Sequence, residues 1–224
     1  MSTYSIKEIF PTMQGEGSLA GTPAVFVRFA GCNLWSGLDS FRDKGSGECA
    51  KWCDTDFFKG EKLESDSIID KVKEYTKDWD YTNPLVVITG GEPFLQLSQK
   101  KMDLIEKLVQ NNFKISVETN GTISNAATDL ISKIGHITMS PKMLWQKPKD
   151  LSHIKLKTCT DLKIIVPTLV PIEEVTKIVR YKHLYLQPKD TGDEGRSNVN
   201  LALELACRFA GRVSIQSHKM VGLR

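Results

Sequence analysis

The chain has 224 residues, enough for one domain with a substantial buried core. Its composition, 40% apolar and 25% charged, is that of an ordinary globular protein, and a formal charge of +3 is too small to point to nucleic acid or a membrane surface as partner. The opening residues, MSTYSIKEIF, lack the basic stretch and apolar run of a signal peptide, and no segment approaches the ~18 apolar residues of a membrane span. The expected compartment is therefore the cytoplasm. There the five cysteines should be reduced thiols or metal ligands, as their odd number also suggests.

In chain order, the first expected core strand is 24–30, AVFVRFA, which runs into a loop carrying Cys32, Cys49 and Cys53. A helix is expected over 66–76, then a strand over 85–89 that runs into GGEP. The helix expected over 98–111 places Met102, Ile105, Leu108 and Val109 on one face. A strand at 114–118 leads into TNG, a helix follows at 125–134, and a strand at 136–139 leads into SPK. The basic stretch 142–157, broken by Trp145, Pro148, Asp150 and Leu151, reads as a solvated face or loop. Then come a strand at 162–166, a helix at 172–181, a strand at 183–186 leading into QPKD, a helix at 200–209, and a strand at 213–216 leading into QSHK. No repeat, low-complexity segment or long linker divides the chain, so residues 1–224 are expected to form a single domain.

Strands alternating with helices imply an α/β fold with parallel pairing and right-handed crossovers. Polar motifs follow the strand ends and not their starts. In parallel barrels and open α/β sheets ligands sit at the carboxyl ends, so one large site is expected, assembled from many loops. The length suits a partial TIM-like barrel of about six parallel strands better than the full eight-fold barrel of ~250 residues.

The cysteine loop has the pattern C-x16-C-x3-C. Three thiolates are one short of a closed structural zinc site or of a cluster held wholly by protein. The spacing alone leaves open a cluster with one ligand position to spare, zinc with a fourth ligand such as histidine, and three unrelated cysteines. The glycines of Thr89-Gly90-Gly91-Glu92-Pro93 permit close approach of backbone to a ligand, and Glu92 is placed to accept from a ligand ammonium. Arg28, inside a strand, needs a partner anion: a substrate carboxylate suits its fork, and Glu16 is the competing structural partner. Asp54-Thr55-Asp56 offers hard oxygens for magnesium, or a plain turn. Glu118-Thr119-Asn120-Gly121 reads as an Asx-type turn or a ligand contact. His218, at a strand end, is a candidate for substrate contact. His136, His153 and His183 are assigned to structure or surface, and Cys159 and Cys207 to packing.

A cysteine loop followed one strand later by GGEP resembles the radical S-adenosylmethionine superfamily, whose usual spacing is C-x3-C-x2-C. A long first gap occurs in some members of one family, the 7-carboxy-7-deazaguanine synthases. EIFPTMQGEG, FVRFAGCNLWSG, CDTDF, TGGEP, ETNG, SPK, LQP-x-D and QSHK resemble that family across nearly the whole chain, while the ending MVGLR departs from it. The resemblance implies a radical S-adenosylmethionine core with a [4Fe–4S] cluster on Cys32, Cys49 and Cys53. It implies adenosylmethionine contacts from Trp52, Cys53, Asp54, Gly91, Ser140, Pro141, Lys142, Gln187, Pro188, Lys189 and Asp190. Met13, Gln14, Gly15, Arg28, Thr89 and the terminal carboxylate of Arg224 would meet a pterin substrate, and Thr55 a magnesium ion (Mg2+). Glu16, Glu92, Glu118, Asn120 and His218 stand as further candidates. The implied reaction is a carbon–nitrogen lyase step in queuosine and deazapurine synthesis, with an external electron donor of the flavodoxin type or similar and a homodimeric enzyme. Two alternatives remain: another radical enzyme such as a glycyl-radical activase, or a non-catalytic iron–sulfur or zinc-binding module.

Overall fold

The computed structural model describes residues 2–98, 101–123, 132–147, 149–190 and 195–223. The strands are β1 (Thr3–Met13), β2 (Pro23–Phe29), β3 (Glu61–Glu64), β4 (Leu85–Gly90), β5 (Lys114–Thr119), β6 (His136–Met139), β7 (Asp161–Val166), β8 (His183–Pro188) and β9 (Arg212–Val213). The helices are α1 (Ser65–Thr76), α2 (Asp103–Gln110), α3 (Ile172–Ile178), α4 (Gly195–Arg208) and α5 (Ser217–Met220). The nine strands of the described residues share one sheet in the order β3-β1-β2-β4-β5-β6-β7-β8-β9. From β2 to β9 every pairing is parallel, while β1 runs antiparallel to both β2 and β3. The expected α/β class and incomplete barrel are present, with seven parallel strands, the last of only two residues.

The two-residue period of each strand sorts its side chains. Val25, Val27 and Phe29 of β2, Val86 and Ile88 of β4, and Leu162 and Ile164 of β7 join the main core, which α1 and α2 cover with Ile68, Val72, Leu104 and Leu108. The alternate residues face the concave side, and there the parallel strands depart from their usual apolar character. Arg28, Thr89, Glu118, Thr138, Lys163 and Gln187, one from each of six strands, line connected cavities.

The chain after β1 spans the open side of the barrel. Ser217 donates its backbone N–H to the Gly15 carbonyl (3.1 Å), Gly17 N–H donates to Ser214 Oγ (3.1 Å), and Ser18 N–H to Asp161 Oδ2 (2.8 Å). The first strands are thereby joined to the last. Asp161, fully buried at the start of β7, is the anchor. It also meets the Ser18 hydroxyl, His136 Nε2 (3.3 Å) and His183 Nδ1 (3.0 Å). Burial opposes its charge, but these donors outweigh burial and hold its carboxyl well below the usual range.

Several elements differ from the sequence expectation. β1 and β3 were not foreseen; a register shift between Ile6 and Glu8 breaks the alternation that would have marked β1. The helix expected at 98–111 begins only at Asp103, whose Oδ1 accepts from the Tyr4 hydroxyl (2.7 Å), and Val109 points to solvent. The helix expected at 125–134 lies mostly outside the described residues. The strand expected at 213–216 stops at Val213, because Ser214 turns its hydroxyl to Gln187 Oε1 (3.1 Å). Cys159 is buried as expected, whereas Cys207 is exposed on α4.

Replacing Asp161 by Asn should cost about 2 kcal/mol or more, the scale of hydrogen bonds to a charged group. A carboxyl whose folded pKa is depressed contributes stability that is present above its unfolded value of 3.8 and is lost as pH falls through the folded one. Urea unfolding should therefore show a constant gap between wild type and Asp161→Asn from neutral pH down to about pH 5, shrinking below about pH 4.

Candidate active site

The cysteine loop leaves β2 and returns to the cavity through two 3-10 turns, Asp39–Lys44 and Glu48–Lys51. The second explains the x3 spacing. Cys53 N–H donates to the Cys49 carbonyl (2.7 Å), so one helical turn brings those two cysteines to the same cavity, whose other wall carries Cys32. Glu48, buried beside Cys49, moors the loop: its Oε1 accepts from Met143 N–H (3.2 Å) and the Thr168 hydroxyl (3.0 Å), and its Oε2 from Leu169 N–H (3.1 Å). Gly47 also forms a β-bridge with Leu144. Burial pushes the Cys49 thiol up to about 12 and the Cys32 thiol upward as well. Both are therefore neutral before any metal binds, and binding releases their protons. Among the described residues no three His, Cys, Asp or Glu converge to hold a single ion. The soft donor set of three thiols around one cavity fits a multi-iron cluster that leaves one iron for another ligand.

The GGEP turn is stitched to this loop by backbone. Gly91 N–H donates to the Phe29 carbonyl (3.2 Å) and Glu92 N–H to that of Gly31 (2.9 Å). A Cβ on Gly91 would stand 2.0 Å from the Gly31 oxygen and 2.9 Å from Cys32 N, so only glycine allows the approach. Glu92 is fully buried. Its Oε1 accepts from Phe94 N–H (3.0 Å) and the Thr119 hydroxyl (2.8 Å), and its Oε2 from Asn120 N–H (2.7 Å). The carboxylate expected to face a ligand instead braces this turn against the end of β5, and Gly90 and Gly91 line the cavity in its place. Asn120 makes the Asx turn, its Oδ1 accepting from Thr122 N–H (2.9 Å), and also reaches Asn33 in the cysteine loop.

The other expected adenosylmethionine residues gather around Trp52. Lys142 and Lys189 Nζ lie 5.3 and 5.2 Å from its ring centroid. Lys142 also donates to Ser140 Oγ (2.6 Å). Lys219 of α5 joins Asp54 (2.6 Å) to Asp190 (3.1 Å), tying the cysteine loop to the end of β8. Pro141 is buried in the turn, and Gln187 and Pro188 line the adjoining hollow.

The inner polar ring is divided into two networks. Glu118 accepts from Gln14 Nε2 (3.0 Å) and the Thr89 hydroxyl (3.0 Å). Lys163 is paired with Glu16, which also accepts from Gln187 Nε2 (3.0 Å) and Gln216 Nε2 (2.8 Å). Burial disfavours the Lys163 charge, but Glu16 and Glu118 more than offset it and hold the ammonium above its ordinary range. The expected Arg28–Glu16 pair is not formed. Glu8 lies opposite Arg28 on antiparallel β1 and accepts from its Nε at 2.7 Å, while Glu16, carried past β1, reaches Lys163 instead.

Arg28 lines a cavity of about 370 Å³ with Met13, Gln14, Thr55, Thr89 and His218. The His218 ring packs so closely on Gly15 that a Cβ there would fall 1.9 Å from Nδ1. Thr55 borders both cavities, while its neighbours Asp54 and Asp56 are engaged by Lys219 and Lys7. Arg224 lies outside the described residues. Sequence reasoning missed Lys163, Glu48, Glu8 and Lys219. Lys163 carried the signal that found Arg28, a charge flanked by apolar residues, as in LKIIV.

An incomplete parallel barrel, with three thiols and a GGEP turn at the carboxyl ends of its strands, defines the radical S-adenosylmethionine class. The chain is 37% identical to the 7-carboxy-7-deazaguanine synthase of Bradyrhizobium diazoefficiens over 99% of this chain and 100% of that one. It is 37% identical to the synthase of Caulobacter vibrioides and 34% to that of Burkholderia multivorans, each over 99% of both chains. The fold matches the crystal structure of QueE from Escherichia coli with a TM-score of 0.68 at 24% identity, over 96% of this chain and 94% of that one. No family model matches the chain. The chain belongs to the 7-carboxy-7-deazaguanine synthase family.

Removing either partner of the buried Lys163–Glu16 pair should cost about 3–5 kcal/mol, because the other charge is left uncompensated. A double-mutant cycle with Glu16→Gln and Lys163→Met, followed by denaturant unfolding, should find the double variant more stable than the sum of the single losses allows.

Proposed function

We propose that the chain converts 6-carboxy-5,6,7,8-tetrahydropterin to 7-carboxy-7-deazaguanine with loss of ammonia, as one domain over residues 1–224. The observation that carries this reading is that the three-thiol loop and the polar ring border one continuous cavity system, sharing Thr55, Thr89 and Glu118. Cys32, Cys49 and Cys53 would hold a [4Fe–4S] cluster. Trp52, Gly91 and the Ser140–Lys142 and Gln187–Asp190 turns would hold adenosylmethionine. Bound there, these groups supply one-electron radical chemistry, and the protein supplies position and exclusion of water.

The remaining residues handle the substrate. Arg28, held by Glu8 through Nε, lines the cavity and has two terminal nitrogens besides. They form a fork for the pterin carboxylate. Met13 and His218 border the same space, and Gln14, Thr89 and Glu118 present a hydrogen-bonding edge for the ring. Lys163 keeps its proton on Nζ against Glu16 and sets positive charge inside the barrel. Thr55 offers one hard oxygen, which suits magnesium, an ion that keeps most of its shell for water and substrate. The reading includes an external electron donor, of the flavodoxin type or similar, and a cytoplasmic setting, to which five free thiols are suited. It also includes a homodimer, supported by the exposed Leu169, Val199 and Leu203. Among the described residues no helix is long and apolar enough to cross a membrane.

Anaerobic reconstitution with iron and sulfide, then assay with the carboxytetrahydropterin, adenosylmethionine and a reductant, should yield 7-carboxy-7-deazaguanine. Cys32→Ala, Cys49→Ala and Cys53→Ala should each lose the cluster, and Cys159→Ala and Cys207→Ala should keep it. Tight uptake of one zinc with no iron would defeat the reading. Arg28→Lys keeps the charge but loses the planar two-point contact, so KM for the pterin should rise about ten-fold or more while adenosylmethionine binding is unchanged. Unaltered pterin binding in that variant would make Arg28 a structural partner of Glu8 alone.

A further inference from the structure

The sixteen residues between Cys32 and Cys49 do more than connect them. Arg42, in the 3-10 turn Asp39–Lys44, turns its guanidinium back into the cysteine loop. Nη1 donates to the Ala50 carbonyl (2.8 Å), Nη2 to the carbonyl of Cys53 itself (3.1 Å), and Nε to Asp39 Oδ1 (2.8 Å). The guanidinium carbon lies 4.7 Å from the centroid of the Trp35 ring, and that ring meets Phe57 edge-on at 5.4 Å. Trp35, Ala50 and Phe57 form a small core of their own, against which Cys32 and Cys53 pack.

One side chain thus grips the loop beside each of its cysteines. It stacks on Trp35, three residues after Cys32; it holds the carbonyl of Ala50, which follows Cys49; and it holds Cys53 directly. Gly45 makes the approach possible, since a Cβ there would stand 2.4 Å from that of Ala50 and 3.0 Å from that of Trp35. No other residue type supplies this combination: the planar face stacks on the indole while the fork reaches two carbonyls on another stretch of the loop.

We propose that Arg42 is a positioning residue that sets the three cysteines for the cluster and places a fixed positive charge beside Cys53. The inserted segment is thereby a built-in template, which lets a C-x16-C-x3-C loop do the work of a short one. The inference rests on the cluster reading above. A fixed cation near an iron–sulfur centre favours its reduced form, so Arg42 also raises the midpoint potential.

The test compares wild type with Arg42→Gln, Arg42→Lys and Asp39→Asn, each reconstituted anaerobically with iron and sulfide. Iron affinity, the midpoint potential from an electron-paramagnetic-resonance titration, and the circular dichroism of the cluster-free chain are measured. Wild type should assemble a full cluster, and so should Asp39→Asn, at a potential no lower than that of wild type, because the fork on Ala50 and Cys53 remains while the anion on Nε is removed. Arg42→Gln should bind iron about ten-fold or more weakly, the scale expected for outer supports of a metal site, and at a lower potential. Arg42→Lys, with the charge but not the fork, should recover the potential more than the affinity. If Arg42→Gln does not fold, weakened affinity at near-wild-type potential in a folded Arg42→Lys supports the same assignment. Wild-type affinity in folded Arg42→Lys, or wild-type affinity and potential in Arg42→Gln, would overturn it. Failure of wild type to take up any cluster would instead defeat the functional reading on which the inference rests.

Discussion

A lysine ammonium inside a barrel of parallel strands needs an anion, and Lys163 finds one in Glu16. Glu118 of β5 also favours the ammonium, but the anion in contact with it is not on a strand. It comes from the connection between β1 and β2, where Glu16 also collects Gln187 and Gln216. That connection then carries Gly17 and Ser18 onward to Ser214 and Asp161. The pairing of one buried charge is therefore tied to closure of the open side of the sheet. Without it the first and last strands would have little to hold them in register across the cavity.

The same economy governs the cysteine loop. A loop of this length has a large conformational entropy to lose, and its cysteines must be set before a cluster can use them. The loop is fixed by polar contacts distributed along it: Glu48 to the chain after β6 and β7, Gly91 and Glu92 to its start, Lys219 to its end, and Arg42 across its middle. Most of these partners lie at the carboxyl ends of other strands, so the loop and the barrel order each other. Glu92 is instructive. Its carboxylate accepts from Phe94, Thr119 and Asn120 and keeps the glycine turn flat against Cys32, and so shapes the cavity without lining it.

The chemistry of the site follows from the separation of its two regions. Soft thiols, an indole between two lysines, and backbone line one side. Arginine, amide, hydroxyl and carboxylate groups line the other. Thr89 and Glu118 belong to both, so a ligand on each side would meet across them. Burial of the ring keeps water from competing with these contacts, which suits a reaction that must confine a reactive intermediate.

The sequence by itself determined the alternating α/β order, the parallel sheet, the clustering of polar motifs at strand ends and the three-cysteine loop. Each of these is a local property: a two-residue apolar period, a glycine pair after a strand, or thiols at short separation. It also marked Arg28 as a charge needing an anion, yet did not identify the anion. That choice belonged to the antiparallel register of β1, which sets Glu8 opposite Arg28 and carries Glu16 past it to Lys163. Val109 shows the same limit: it fits the helical period, but the docking of α2 on Tyr4 turns it to solvent. Only the tertiary structure decided which glutamate meets which cation, that Glu92 braces a turn, and how Arg42 spans the cysteine loop. Such pairings join residues far apart in the chain, and periodicity carries no information about what lies opposite in space.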